Sequence, residues 1–340
     1  MIPGRTRQPA ITLVLVLLIS ASIDSHAQQF EWKTGFFGFF DNREYFNEFI
    51  IPQTIGGASL SAEAGFAINP HNRFRAGLGY TYEYGSKGDY LLPDVILYFK
   101  GEWKPVTFYI GSFPRHELIE HPLAMMTDTL LYYRPMVEGM YIEHRREWGY
   151  QNIWLDWTSR QTDTKRETFL IGATGRIHKG LFLFQHHFLM YHFAGPAIDI
   201  PGDHIRDNGG YCAMPGLNLG HMLGLDTATL STGFLMSYDQ LRHVYDMRFM
   251  WGSLTDVNVN HKGFGIHGVY YRGDSQVHLY GDGFYKSSSY GRADVYYQKA
   301  WQDKIAGKLT FSFHFLPGNL DFSFAVHIRA CMDGSVKFGE

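Results

Sequence analysis

The sequence predicts an all-β chain folded as a transmembrane antiparallel up-and-down β-barrel of about 16 strands. Three observations predict it. Apolar residues recur at every second position along most of the chain. The residues between them are frequently charged and need water. The first 27 residues read as a secretory signal, and no later stretch approaches the 18 or more uninterrupted apolar residues of a membrane helix.

The signal is built in the usual order. Arg5 and Arg7 form its charged start, Ala10 to Ile19 its apolar run, and Ser25-His26-Ala27 a small-x-small cleavage pattern. Such a run is too short to span a bilayer, which takes about 20 residues. Residues 1–27 are therefore expected to be cleaved, leaving residues 28–340 as a single barrel domain. Removing Arg5, Arg7 and Asp24 moves the net charge from -3 to -4, which is no basic footprint for nucleic acid. Composition agrees with a barrel rather than a helical membrane protein. Aromatic residues make up 16% of the chain and mean hydropathy is slightly polar, at -0.20, because only alternate strand residues meet lipid. Cys212 and Cys331 give no disulfide framework; Cys212 reads as part of a Gly/Pro-rich loop.

The alternation is explicit. Ala58, Leu60, Ala62, Ala64, Phe66 and Ile68 share one face, and Asn69-Pro70-His71-Asn72 then turns the chain. Phe74 to Tyr84 and Val95 to Trp103 repeat the pattern. At the end of the chain Leu309, Phe311, Phe313 and Phe315 precede Leu316-Pro317-Gly318-Asn319, and Leu320, Phe322, Phe324, Val326 and Ile328 follow it. Pairing Phe315 with Leu320 and Phe311 with Phe324 keeps both apolar faces on one side. In a sandwich that face would meet another sheet. The charges opposite it favour a wet lumen, with Tyr84, Trp103, Trp157 and Trp251 placed as interfacial girdles.

Seventeen alternating segments can be marked, including 219–227, 229–238, 244–252, 276–285, 293–301 and 304–315. Single-chain barrels use an even number. Trp301-Gln302-Asp303-Lys304 lacks Gly and Pro, so 293–315 is merged, giving 16; 14 or 18 stay open. Long outer loops are expected at 41–56, 85–93, 114–135, 161–166 and 194–218, with 253–262 a longish periplasmic turn.

On these strands the chain resembles Gram-negative outer-membrane barrels of the porin-like sort. Its Tyr-rich, His-rich strands resemble those of uncharacterised Bacteroidota outer-membrane proteins. The resemblance implies a place in the outer membrane and a C-terminal insertion signal ending in an aromatic residue, which Phe338 matches imperfectly. It also implies that the third outer loop, 114–135, tucks into the lumen as a constriction carrying His116, Glu117, Glu120 and His121. Leu123, Met125, Met126, Leu130 and Leu131 would sit badly in water.

The expected lumen face carries Glu63, Arg75, Glu83, Lys100, Glu102, Asp156, Arg176, Asp246, Arg248, His267, Asp282, Asp294, Lys308 and Arg329. Mixed signs suit passive diffusion of small polar solutes. His267, His278, His314 and His327 would add positive charge in acid. Other motifs are weak. His116 and His121 are five apart where the zinc-protease pattern has four, and His186 and His187 point to opposite faces of a strand, so no metal is expected. The aspartates of 198–208 form no recognised calcium loop and are expected to pair with Arg206. Ser312 and His314 share the lumen face but lack an evident third member. The leading expectation is a porin-like channel that is not an enzyme. A non-conducting barrel whose outer loops, with Phe46, Phe49, Ile50 and Ile51, bind a ligand or partner is the alternative, and a barrel enzyme comes last. Expected partners are outer-membrane lipid, small polar solutes and a further copy or surface protein, with no nucleic acid and no cofactor.

Overall fold

A lipid-facing strand residue needs no partner but the bilayer, whereas its backbone must be fully paired, and only closure satisfies every edge. The computed structural model describes residues 29–86, 92–116, 118–198, 200 and 202–337. Within them sixteen strands close into one antiparallel barrel, each bonded to its sequence neighbours and β1 to β16. They are β1 (Gln29–Glu44), β2 (Gln53–Asn69), β3 (Asn72–Glu83), β4 (Asp94–Trp103), β5 (Val106–Pro114), β6 (Met136–Arg146), β7 (Gly149–Ser159) and β8 (Thr168–Lys179). There follow β9 (Phe182–Phe193), β10 (Arg206–Asn218), β11 (Thr227–Leu241), β12 (Tyr245–His261), β13 (Phe264–Gly273), β14 (Ser289–Trp301), β15 (Ile305–Leu316) and β16 (Asn319–Lys337). The signal segment and Phe338 lie outside the described residues.

The β15–β16 register is the one the alternation required: Phe311 pairs with Phe324 and Phe315 with Leu320. On β15, Phe311, Phe313 and Phe315 stand 42–50% exposed, the share a bilayer covers, while Ser312 and His314 between them are 4% and 2% exposed inside the barrel. The two faces of one strand thus meet different solvents.

The count of sixteen is reached by a different division. Residues 293–301 and 304–315 are two strands, not one. Gln302 and Asp303 both take positive φ, 52° and 54°, and turn the chain without Gly or Pro. Residues 276–285 are no strand but part of an inward loop. Residues 219–226 form a short connection with one helical turn at Gly220–Leu223, and Thr227 already begins β11. Residues 206–218, expected as loop, are β10, so Cys212 faces the lumen from a strand and is fully buried. Gly209, Gly210 and Pro215 hide this strand in the sequence. The β11 ladder lapses at Met214 and Pro215, where proline offers no N–H, and resumes in the same register. Residues 253–261 extend β12 rather than turning.

Long connections gather at one end, the outer end of such barrels. Two of them turn inward. Arg115 starts the third outer loop, is 1% exposed, and pairs with the fully buried Asp156 of β7. Its Nε also donates to the Arg134 carbonyl at 2.9 Å. Farther along, Thr174 Oγ1 on β8 donates to the Glu120 carbonyl at 3.0 Å. The seventh outer loop, 274–288, is held by Asn208 of β10, whose Nδ2 donates to the Val277 carbonyl at 2.7 Å and whose Oδ1 accepts from Leu279 N at 3.0 Å. The two loops bond each other through Thr127 N to the Tyr280 carbonyl and Asp282 N to the Leu123 carbonyl, at 2.7 and 2.8 Å. Gly210 admits this arrangement: a Cβ there would collide with the His278 ring and the Met236 carbonyl.

Around the loops lies one buried apolar cluster. Met125 and Phe284 of the loops meet lumen-facing residues of successive strands, among them Phe113, Val137, Trp154, Leu170, Leu235 and Tyr271. At ~25 cal/mol per Å² of apolar surface removed from water, this packing is what draws both loops inward.

Candidate functional site

The lumen wall from β14 through β16 to β1 is mostly polar, apart from Phe37 and Phe39 of β1. It borders a cavity of about 280 Å³ roofed by the first outer loop (45–52) and by both inward loops. Period-two alternation places every wall residue of the site. Asp41 and Arg43 come from β1, Arg292 and Asp294 from β14, Lys308, Ser312 and His314 from β15, and Ser323 and His327 from β16.

His314 is the most enclosed of these groups. Its Nδ1 shares a hydrogen bond of 2.7 Å with the Tyr290 hydroxyl, and its Nε2 lies 3.3 Å from Ser323 Oγ. The Phe284 ring stacks on it at 4.2 Å, and Tyr45 meets it edge-on at 5.4 Å. A histidine between two hydroxyls, with its ring clamped, is held in one orientation and can pass a proton to or from the cavity side.

Charge in the cavity is fixed in pairs. Arg43 Nη2 lies 2.5 Å from Asp41 and 3.3 Å from Asp128 of the third loop. Arg292 Nε donates to Asp294 at 2.7 Å. Asp294 also meets His267 Nδ1 at 3.1 Å, and the other ring nitrogen of His267 meets Asp256 at 2.7 Å. Lys308 lies 4.8 Å from the centroid of the Tyr296 ring. Tyr132, from the helical turn Leu130–Tyr133, stacks on Phe39 at 4.4 Å and bonds His327 Nε2 at 2.7 Å. Asp282 at the roof accepts from Phe284 N at 3.2 Å; burial pushes its carboxyl up to about 6 against the pull of Arg292.

The residues expected on the lumen face do not gather at one place. Asp294, Lys308 and His267 belong to the cavity or its border. Glu63, Arg75, Lys100 and Glu102 form a separate network lower in the barrel, where Tyr98 donates to Glu63 at 3.0 Å and Arg75 reaches Glu31 at 2.5 Å. Glu83 accepts from Tyr133 at 3.1 Å, and Arg329 approaches His116 Nδ1 at 3.3 Å. Arg176, Asp246 and Arg248 are exposed. Two expectations need correction. Asp156 lines no water: Arg115 seals it inside the apolar cluster. Asp282 sits on no strand; it caps the 3-10 turn Gly283–Lys286 of an inward loop. Arg206 bonds Asp239 of β11 at 2.9 Å, while the described aspartates of 198–208 pair elsewhere, Asp203 with Arg166 and Asp207 with His192 and Arg242; Asp199 lies outside the described residues.

Of the four residues expected at a constriction, Glu117 lies outside the described residues. Glu120 meets Tyr150 at 3.5 Å. His121 packs against Trp154 and His187, with ring centroids 5.7 and 5.6 Å away. Burial holds His116 down to about 3 and His278 to about 4, and His121 well below its ordinary value, so none of the three supplies positive charge in mild acid. Among the described residues no three His, Cys, Asp or Glu side chains gather at metal-binding spacing.

Tyr290 and Ser323 do not stand out in the sequence. A signal for Ser323 exists: the hairpin register that pairs Phe311 with Phe324 also sets Ser312 opposite Ser323 and His314 opposite Asp321. Tyr290 precedes the segment marked at 293–301, and nothing local marks it.

Known structures share the architecture. A loop-deletion mutant of OmpT from Vibrio cholerae superposes with a TM-score of 0.56 at 8% identity, over 90% of this chain and all of that one. OccK3 of Pseudomonas aeruginosa gives 0.51 at 10% identity, over 89% of this chain and 96% of that one. OmpF of Salmonella typhi, in complex with daunomycin, gives 0.51 at 10% identity, over 89% and 97%. At such identity they show the fold alone: an outer-membrane barrel of porin-like form. No curated protein matches the sequence. The expectation that the chain is not an enzyme is overturned by a sequence-family match that covers residues 23–335: the chain belongs to the family described as lipid A 3'-O-deacylase-type, an enzyme family.

Proposed function

We propose that the protein is an outer-membrane acyl-ester hydrolase acting on lipid A, with its chemistry in the polar cavity. The observation that carries this reading is His314, buried between the Tyr290 and Ser323 hydroxyls and open to the cavity on the Ser323 side. The family supplies the substrate class.

In this reading Nδ1–H of His314 donates to Tyr290, which fixes the tautomer. The Nε2 lone pair then takes the Ser323 proton as Oγ attacks the ester carbonyl. His314 returns that proton to the departing sugar oxygen. Water, deprotonated by the same nitrogen, then attacks the acyl-serine carbonyl; Ser323 Oγ leaves with that proton returned from His314, and the fatty acid is freed. Arg43, Arg292 and Lys308 line the cavity in which negative charge develops on the carbonyl oxygen, and their field stabilises it.

The test is fatty-acid release from lipid A by the barrel folded in vesicles, read by mass spectrometry, for wild type, His314→Ala and Ser323→Ala. Wild type should shorten lipid A by one acyl chain and both variants should not. Release that survives in both folded variants refutes the site.

One observation favours a second reading, a narrow conduit for small polar solutes. The polar wall descends from His314 to Lys308, about 20 Å along β15 at ~3.4 Å per residue. Single-channel recording in planar bilayers decides it: stable conductance steps support the conduit, and a silent folded barrel removes it.

A further inference from the structure

We propose that the outer rim above the β15–β16 hairpin is a saddle across which an acyl chain of an outer-leaflet lipid bends into the cavity. The proposal rests on the hydrolase reading and names how its substrate arrives. A closed barrel poses a problem for such an enzyme. The site is inside, every strand is bonded to both neighbours, and acyl chains lie outside. A chain must therefore cross the rim, and it will do so where the wall is low and the path apolar.

Both conditions are met at one place beside the cavity. The connection between β15 and β16 is a tight turn at Pro317-Gly318, whereas the neighbouring first and seventh outer loops span 45–52 and 274–288. The lipid face reaches this turn without a break: Phe315 is 50% and Leu320 51% exposed. The first loop continues it. Phe46 and Ile51 are 71% and 82% exposed at the rim. Phe46 is not loosely placed, because its N–H donates to Asp321 of β16 at 2.7 Å and the next residue, Asn47, binds the same carboxylate at 2.5 Å. Inside the rim Tyr45 and Phe284 flank His314. The apolar path thus runs from the bilayer belt, over Phe46 and Ile51, to the ring beside Ser323. Its continuity with the belt identifies the occupant as a lipid chain rather than a protein partner.

The experiment uses the full barrel in vesicles containing lipid A, with Phe46→Asp combined with Ile51→Asp, and a heat-shift gel to confirm folding. Two esters are compared, lipid A itself and a short water-soluble p-nitrophenyl ester that needs no bilayer route. Charging the saddle should slow lipid A cleavage about tenfold or more, because covering one Phe or Ile side chain with hydrocarbon favours the crossing by at least that factor. The soluble ester should stay within about twofold of wild type, since it gains nothing from an apolar rim. Lipid A cleavage that also stays within about twofold overturns the saddle. A second measurement reads the route without turnover. A lipid with a photoreactive group at the end of its acyl chain is irradiated with wild type, and adducts are mapped by peptide mass. Adducts on residues 45–51 and on lumen-facing Ser312, His314 or Ser323 support the saddle. Adducts confined to lipid-facing residues overturn it. If wild type cleaves no lipid A, the hydrolase reading fails and the adduct map decides the saddle alone.

Discussion

The two sides of the lumen differ in what meets the inward face of the wall. From β5 round to β13 the inward side chains are largely apolar, and two outer loops fold in to cover them, leaving Met125, Phe284 and Leu170 with no exposure. From β14 through β16 to β1 most inward side chains are charged or polar, apart from Phe37 and Phe39 stacked against Tyr132, and the same loops roof a cavity beside them. Both sides come from the same two-residue period. What differs is what lies against each: a dry loop makes the wall a core, and a wet space leaves it available for chemistry.

The polar side is most sensitive at His314. Its conversion to Ala should lower fatty-acid release by about 10²- to 10⁴-fold, the usual contribution of a general acid–base group, with the barrel still folded on a heat-shift gel. A smaller drop moves the chemistry elsewhere in the cavity.

On the plugged side the largest effect should come from Arg115. Arg115→Met leaves the fully buried Asp156 to the longer contact with Arg134, at 4.0 Å, at a cost of about 3–5 kcal/mol in urea unfolding from vesicles. Arg115→Met with Asp156→Leu should recover most of it. If the double variant is as unstable as the single, the pair is not what anchors the loop.

Met125→Ala should cost about 2–5 kcal/mol, because the cavity it leaves lies among strand residues that cannot collapse into it. Soluble-ester cleavage should change little, since Met125 does not line the active cavity. Equal damage to stability and to cleavage would mean that the two sides form one unit.

The smallest effect separates the sides by pH. His121 and His278 are held neutral by burial, His278 down to about 4, and His187, Arg115 and His278 itself oppose a charge on His121. Their folded affinity for protons is below the unfolded one. The stability they contribute is therefore complete above about 6.5 and is lost as pH falls below it, for His278 through about 4. Asp282, over the cavity, is raised to about 6, so its contribution is present below about 4 and lost as pH rises through 6. His121→Leu with His278→Gln should flatten the acid limb of the unfolding midpoint, and Asp282→Asn the limb near pH 6. An unchanged pH profile in both would show that neither group couples to folding.

Much of the fold is legible because strand alternation is local. Phe311 and Phe324 announce a lipid face and its register without knowledge of the rest. Turns that look like turns, such as Asn69-Pro70-His71-Asn72, are equally plain. The turn at Gln302-Asp303 escapes a reading of the sequence because its positive φ is carried by residues that rarely advertise it. β10 escapes it because its glycines read as loop, whereas Gly210 is the room left for His278 and Gly209 the room left for the Tyr238 hydroxyl. Residues 276–285 alternate like a strand but carry Asp282 and Tyr285 into the barrel instead.

The sequence by itself determined the class of fold, the lipid and lumen faces, and the outer membrane as the place for them. A strand in a bilayer must show one face to hydrocarbon at every second residue, and that requirement is written residue by residue. Only the folded barrel shows which part of the lumen is dry and which borders a polar cavity. Arg115 with Asp156, Asn208 with Val277, and Tyr290 with His314 are contacts between segments far apart in the chain. No local pattern records them, because burial and hydrogen bonding are settled only once the barrel has closed and the loops have turned inward.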